Sequence, residues 1–167
     1  MKVIAHLLAA DGGIPNHPRW PLLVYPGAVK IAGADPAAAF EALFTRNRWP
    51  AAWRNGVFPF HHFHTAAHEA LGVYEGEVTV QLGGDAGVAV TAVPGDVIVL
   101  PAGTGHKKLA SRGALGIVGA YPEGQRADTC TPLVGSPSKR AAAIARVPLP
   151  ACDPVFGPGG PLFDHWR

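Results

Sequence analysis

The sequence predicts an all-β fold, a small barrel with a metal-binding site. The first observation is a pair of glycine-led segments, residues 56–76 and 95–110, whose spacing singles out three of their histidines (His62, His64 and His106) and one glutamate (Glu69). The second is the content of 21 glycines and 17 prolines, which suits many short strands joined by turns. The third is a hairpin signature, in which residues 77–82 and 88–93 flank the glycine-rich stretch 83–87.

The elements before the first segment are two strands and a helix. Residues 3–9 and 21–25 are predicted strands, divided by a loop rich in Gly, Pro and Asn. Residues 34–47 are predicted to be helical, because Asp35 suits the cap and Pro36 suits the first turn. One face of this helix carries a partly apolar stripe: Phe40, Leu43, Phe44 and Asn47. The helix is therefore expected to pack against the barrel.

The first segment places two histidines on one face of a strand. Side chains alternate along a strand, so His62 and His64 are expected to point the same way, about 6 to 7 Å apart. Phe60 shares their face, whereas His61 and Phe63 take the opposite one. Two histidines on one strand cannot surround an ion, so further ligands must come from elsewhere in the chain.

The rest of the two segments supplies those ligands. Residues 65–68 are long enough to turn the chain and return the Glu69 carboxylate beside the two rings. Gly76 follows a short apolar run and is expected to adopt the positive φ of a tight turn. In the second segment, a buried strand over residues 97–100 leads into a Pro/Gly-rich bend that delivers His106 from a different strand.

The C-terminal third adds a hairpin, a helix and a tail. Residues 107–110 and 115–121 are predicted to pair across a turn at 111–113. A short alanine-rich helix is expected from Ser136 to near Arg146, and the Pro/Gly-rich tail should wrap the outside or a partner subunit. No internal repeat is visible, so one domain is predicted over residues 1–167.

The two segments resemble the two motifs of the cupin superfamily. The positions that match, at the spacings of the motifs, are Gly56, His62, His64, Glu69, Gly76, Gly95, Pro101, Gly103 and His106. The departure is Ala110, where many members carry an Asn that is not a usual metal ligand. Four stretches outside the motifs are similar to a group of small bacterial single-domain cupins: residues 12–16, 53–56, 119–122 and 153–157.

This resemblance implies the fold, the ligands and the assembly. The fold would be a double-stranded β-helix, the RmlC-like jelly-roll cupin barrel, with two short peripheral helices. The ligands would be His62, His64, Glu69 and His106, around one divalent transition metal with positions left for a small molecule. Fe, Mn, Ni, Co and Zn all suit this set, and the order of affinities does not choose among them. A homodimer is expected, since a partner commonly covers the exposed sheet edges.

Two further residues near the motifs, Lys108 and Tyr121, each allow a functional and a purely structural interpretation. Lys108 shares the ligand face and could meet an anionic substrate group, or it could be solvated. Tyr121 could be a donor at the barrel mouth, or a core tyrosine. These two are the candidate catalytic residues. His61 and His68 are expected at the surface or as supports of the ligands. Three residues of the following loop are expected to be ordinary surface residues: Glu123, Gln125 and Asp128.

Composition and charge exclude several classes of protein. A net charge of +2, without a basic stripe that includes aromatic residues, gives no indication of nucleic-acid binding. No run approaches the roughly 20 apolar residues of a membrane span. Residues 1–10 are predicted to form an edge strand rather than a signal peptide. Cys130 and Cys152 are therefore expected to be reduced, in a cytoplasmic protein.

Three classes of function remain open from the residues. The first is a metal-dependent enzyme, an oxygenase or an isomerase/decarboxylase, acting on a small polar or carboxylated molecule. The second is a non-catalytic module that senses or stores a small ligand or a metal. The third is a metal-free enzyme, similar to sugar epimerases, that uses His62 or His106 as a base.

Overall fold

The strands and helices follow from a computed structural model that describes residues 2–167. The strands are β1 (Ile4–His6), β2 (Leu22–Tyr25), β3 (Ala51–Asn55), β4 (Glu69–Leu82), β5 (Val88–Ala92), β6 (Val97–Leu100) and β7 (His106–Ala120). The helices are α1 (Pro36–Arg46), α2 (Pro137–Ile144) and α3 (Leu162–His165). Among these residues, no helix combines the length and apolar character that crossing a membrane requires.

The strands form one antiparallel sheet that curls into a barrel. Its order is β1-β2-β6-β4-β7-β3, and β5 pairs with the end of β4 as the predicted hairpin. The predicted all-β jelly-roll barrel is therefore confirmed. Helices α1 and α2 form where the sequence predicts them, whereas the four-residue α3 is an additional element that the sequence did not predict.

The sheet is apolar on both faces, because each face covers a different core. Leu22 and Val24 of β2 join the inner cluster, which fills the barrel, whereas Leu23 and Tyr25 join the outer cluster. In the outer cluster, α1 contributes Phe40 and Phe44, both fully buried, and the C-terminal tail contributes Trp166. The stripe predicted on α1 thus packs on the barrel, and the tail wraps its outside.

The second predicted hairpin is wrong. Strands β4 and β7 pair from Ala70 with Ala120 to Leu82 with His106, with three irregularities in the ladder, and residues 111–113 lie within β7 and do not reverse the chain. Gly76 has the predicted positive φ, 70°, but it lies within β4 at an irregularity of the ladder rather than in a tight turn. Strand β7 pairs with β4 on both sides of Gly76, so β4 continues past this glycine as a bulge instead of turning back.

A column of aromatic rings buries two histidines between the sheet and the tail. His17 stacks on Trp20 at 4.4 Å, Trp20 stacks on Trp166 at 5.3 Å, and His68 packs against both tryptophans. His68 is fully buried, and its Nδ1 accepts the Ala102 N–H at 2.9 Å. Of the two positions predicted for His68, the surface or a support of the ligands, the surface is wrong, because its ring is a core group between the two motifs.

The burial of His17 predicts a pH-dependent stability. Its Nδ1 accepts the Trp20 N–H at 2.8 Å, and burial, followed by the charge of Arg19, lowers its pKa from 6.5 to about 4. His68 is the other titratable group that faces it. The unfolded chain binds a proton below pH 6.5 that the folded chain refuses until about pH 4, so stability falls as pH decreases through this window.

We expect His17 to account for about 2 kcal/mol of that loss. Chemical denaturation of the His17→Asn variant between pH 7 and pH 4 should show a smaller loss than the wild type, since the amide oxygen can accept the same N–H without titrating. The exposed His165→Asn variant is the control. Equal pH dependence in all three proteins would contradict the assignment.

Candidate metal centre

Three buried histidines converge at one end of the barrel. His62, His64 and His106 each offer a ring nitrogen, and these nitrogens lie within 4.8 Å of one another. The backbone of His62 pairs with that of His106 through hydrogen bonds of 3.2 and 2.9 Å, and the His64 carbonyl accepts the Gly103 N–H at 2.7 Å. The two motifs are thus joined by their main chains, which holds the rings together.

Glu69 joins this cluster because the barrel closes. It begins β4, whereas His106 pairs with Leu82 at the opposite end of that strand, about 43 Å away if the ribbon were flat. Yet the Glu69 Oε2 lies 3.3 Å from the His106 Nε2 and 3.2 Å from the His64 Nε2. The curl of the β4–β7 ribbon therefore brings its two ends to one point.

Each histidine is oriented by a backbone carbonyl. The Nδ1 of His62 lies 3.2 Å from the Phe60 oxygen, that of His106 lies 3.0 Å from the Thr104 oxygen, and that of His64 contacts the Asp128 oxygen. A carbonyl can only accept, so each Nδ1 must carry the proton. In the neutral rings, Nε2 then presents a lone pair, which is the tautomer of metal-ligating histidines.

The electrostatics of the cluster call for a positive charge at its centre. Burial disfavours the charged form of Glu69, but the hydrogen bonds that the His106 and His64 rings donate when Nε2 also carries a proton outweigh it and hold the pKa of Glu69 below its usual range. Burial also opposes charging of His64, but Glu69 outweighs it and raises the pKa of His64. Burial, with His106 next, lowers the pKa of His62 to about 4. Lone pairs and a carboxylate in contact require a proton or a metal ion between them.

The predicted alternation around His62 is confirmed. Phe60 packs its ring against His62 at 5.8 Å, on the side of the cluster. His61 points away, and its Nε2 lies 3.1 Å from the exposed Asp85 carboxylate. Phe63 is fully buried on that opposite side, beneath the guanidinium of Arg140 at 5.0 Å. His61 therefore lies outside the cluster of the three buried histidines.

Asp128 is not the ordinary surface residue that the sequence suggested. Its carboxylate accepts the Thr65 N–H at 2.7 Å, the Thr65 hydroxyl at 2.6 Å and the Ala66 N–H at 3.0 Å, and the Cys130 thiol adds a longer bond. This clasp places the Asp128 carbonyl against the ring of His64. Asp128 is thus a positioning residue, and a lone Asp in a loop carries no pattern that could have revealed it.

The two other residues of that loop differ from each other. Glu123 is exposed and pairs with Arg48 at 2.7 Å, as expected of a surface residue. The Gln125 side chain instead joins two segments, because it accepts the His68 N–H at 3.0 Å and donates to the Pro148 oxygen at 2.9 Å. Gln125 therefore supports the turn that leads into Glu69.

Asn16 is a further supporting residue that the sequence reasoning missed. It is buried, has a φ of 47°, and its amide nitrogen donates to the Ala9 oxygen at 2.6 Å and the Gly83 oxygen at 2.9 Å. Its amide oxygen accepts the Gly105 N–H at 3.2 Å, directly before His106. Asparagine tolerates the left-handed backbone better than most residues, so an Asn in this Gly/Pro-rich loop was the available signal in the sequence.

A cavity of about 280 Å³ opens beside the cluster. Its lining includes all four predicted ligands and both candidate catalytic residues, Lys108 and Tyr121. The Tyr121 hydroxyl accepts the Trp53 indole N–H at 3.0 Å, and burial, with the Glu69 charge next, raises the pKa of Tyr121. Tyr121 therefore keeps its own proton and can donate it into the cavity.

The structure is thus a curled antiparallel barrel, of the jelly-roll class, with three convergent histidines that could hold a metal ion. No family model matches the chain. It is 42% identical over 159 residues to the uncharacterized protein YjlB of Bacillus subtilis (strain 168), across 93% of this chain and 92% of that one, and it belongs to the same family. A DUF861 family protein from Thermotoga maritima, known from its crystal structure, is 24% identical and covers 55% of this chain and 96% of its own, with a TM-score of 0.33.

Proposed function

We propose that this protein is a metal-dependent cupin enzyme that acts on a small polar or carboxylated molecule. The observation that supports the proposal is the convergence of three buried rings with the Glu69 carboxylate. Each Nδ1 lies against a backbone carbonyl, which leaves the Nε2 atoms to share one buried point with that carboxylate. A divalent cation is what such a set of donors binds.

The residues of the cluster fit a divalent metal ion, and the side chains around it can take different roles. His62, His64, His106 and Glu69 would hold one Fe, Mn, Ni, Co or Zn ion. When bound, the ion supplies Lewis acidity, together with reactivity toward O2 if it is iron. Tyr121 holds a proton at its hydroxyl beside the cluster, and Lys108 holds a positive charge in the cavity wall. The oxygenase and the isomerase/decarboxylase types are both compatible with these groups.

Glu69→Ala tests the ligand assignment. We expect protein purified without chelators to contain close to one metal ion per chain, and the variant to bind the metal at least about a hundredfold more weakly, because loss of an inner ligand costs at least as much as loss of a supporting residue. The measurement is elemental analysis with a competition titration.

Glu75→Ala is the matched control, since Glu75 lies on the same strand but is exposed. It should keep the metal, and circular dichroism should show the barrel in both variants. Full metal binding by Glu69→Ala would refute the role of Glu69. A wild-type protein without metal would instead favour the metal-free alternative.

Oxygen uptake by the iron-loaded protein, with a panel of small carboxylic acids, separates the two reaction types. Uptake supports an oxygenase, whereas product formation without uptake supports an isomerase or decarboxylase. Binding of these acids without any turnover would leave the non-catalytic module as the function.

A further inference from the structure

Lys108 presents its side chain to the interior of the barrel. It lies two residues beyond His106 on β7, and its partner in the ladder is Val80 of β4, which is fully buried in the inner cluster. Directly paired residues of antiparallel strands share a face of the sheet. Lys108 therefore points to the same side as the inner core, and it lines the cavity beside the histidines.

Its neighbour Lys107 has the opposite orientation and a partner of its own. Lys107 pairs with Gln81 in the ladder, and its Nζ lies 3.4 Å from the exposed Asp85 carboxylate. For the half-buried Lys108, no carboxylate of residues 2–167 lies within 4.0 Å of the Nζ. An ammonium that is partly withdrawn from water gains from a counter-charge. The cavity therefore favours a ligand that brings an anionic group.

A bulge ends the inward-facing run at Lys108. Thr79 pairs with Ala110 and Val80 pairs with Lys108, so Leu109 is an extra residue and is half-exposed. Bulges of this kind often redirect side chains beside a functional site. The strand thus presents His106 and Lys108 to the cavity and turns outward directly afterwards.

The wall that faces these groups is apolar. Val57 and Leu71 are buried side chains of the inner cluster that line the cavity. Phe58 lies at the rim, half-exposed, with its ring stacked on Phe60 at 5.0 Å and edge-on to His62 at 5.0 Å. Two exposed, stacked rings beside a polar centre offer a surface for the flat apolar part of a ligand.

We propose that the cavity selects a small organic carboxylate with an apolar or aromatic body. Its carboxylate pairs with Lys108, and its body lies on Val57, Leu71 and Phe58. At about 280 Å³, the cavity is just below the roughly 300 to 1,000 Å³ of sites for drug-sized ligands, which suits a metabolite-sized acid. The inference rests on the proposed function, because it names the substrate class of the same centre, and Lys108 is its specificity-determining residue.

Titration of anions against their neutral amides tests this proposal. The probes are benzoate and salicylate, compared with benzamide and salicylamide, and binding is measured by calorimetry on the protein as purified. We expect the wild type to prefer the anions. Lys108→Met should weaken anion binding by about tenfold to a hundredfold, the loss expected for a charged hydrogen bond, and should leave amide binding unchanged. Lys108→Arg should keep the preference.

Lys107→Met is the matched control, since it removes the adjacent charge on the outer face, and it should bind both anions like the wild type. The proposal is overturned if neither anion binds more tightly than its amide, or if both methionine variants lose the preference equally. Metal content is measured on the same samples. If the wild type contains no metal and still prefers anions through Lys108, the metal-dependent function is refuted but this inference holds.

Discussion

His62→Ala should abolish metal binding under conditions where His61→Ala binds normally. The two histidines are adjacent in the chain, but the His62 nitrogen lies within 4.8 Å of those of His64 and His106, whereas His61 contacts the exposed Asp85. Removal of one of three imidazoles leaves an incomplete set of ligands, and we expect affinity to fall at least about a hundredfold. A competition titration with a chromogenic chelator measures the difference.

This pair of variants controls for composition and for local backbone effects, because both lose one imidazole from the same extended segment. Circular dichroism and thermal unfolding should show both barrels intact. Equal metal affinity in the two variants would mean that the alternation of side chains does not define the site. A loss in His61→Ala alone would place the metal outside the barrel.

Asp153→Ala should produce the largest loss of stability that we predict, about 4 kcal/mol in the free energy of unfolding. This carboxylate is fully buried, and it accepts the Tyr25 hydroxyl at 2.8 Å together with the backbone N–H groups of Val155, Phe156 and Leu162 at 2.7 to 3.0 Å. Its removal leaves four donors without their acceptor in the interior, and each unpaired group carries a penalty.

Urea denaturation measures this loss, with Asp164→Ala as the matched control. Asp164 lies in α3 with 74% of its side chain exposed, so we expect its replacement to change stability by less than about 0.5 kcal/mol. Tyr25→Phe removes one of the four donors and should cost about 1 kcal/mol. A loss below that of Tyr25→Phe in Asp153→Ala would show that water replaces the carboxylate and that the tail is not held by it.

Local patterns predicted the elements that carry their own chemical signature. Helix α1, with Pro36 in its first turn, and the hairpin around residues 83–87 form as expected, because first-turn prolines and glycine turns act over a few residues. The side-chain cap predicted from Asp35 is absent, since its carboxylate accepts hydrogen bonds from Arg54 instead. The alternation that places His62 and His64 together is equally local. These features depend on near neighbours in the chain, so periodicity and turn chemistry suffice to find them.

The wrong predictions have one cause: in each case the residues that make the deciding contact lie far away in the chain. Residues 111–113 were predicted to form a turn, but Ser111 and Arg112 pair with Val78 and Glu77 of β4 and the chain continues as one strand. Asp128 was predicted to be a surface residue, but its carboxylate accepts hydrogen bonds from the backbone of Thr65 and Ala66, more than 60 positions earlier. The surface alternative for His68 fails because the tail folds Trp166 over its ring. None of these partners is visible within a window of neighbouring residues.

The amino-acid order alone was enough to predict which side chains meet at the candidate site: three imidazoles and one carboxylate. Its geometry required the closed barrel, since Glu69 and His106 lie at opposite ends of one ribbon and meet only when that ribbon curls. The folded chain also placed a backbone carbonyl against the Nδ1 of each histidine, a contact that no motif records. The reason is physical, because ligand type is a property of each residue, whereas distance and tautomer depend on contacts between segments remote in the chain.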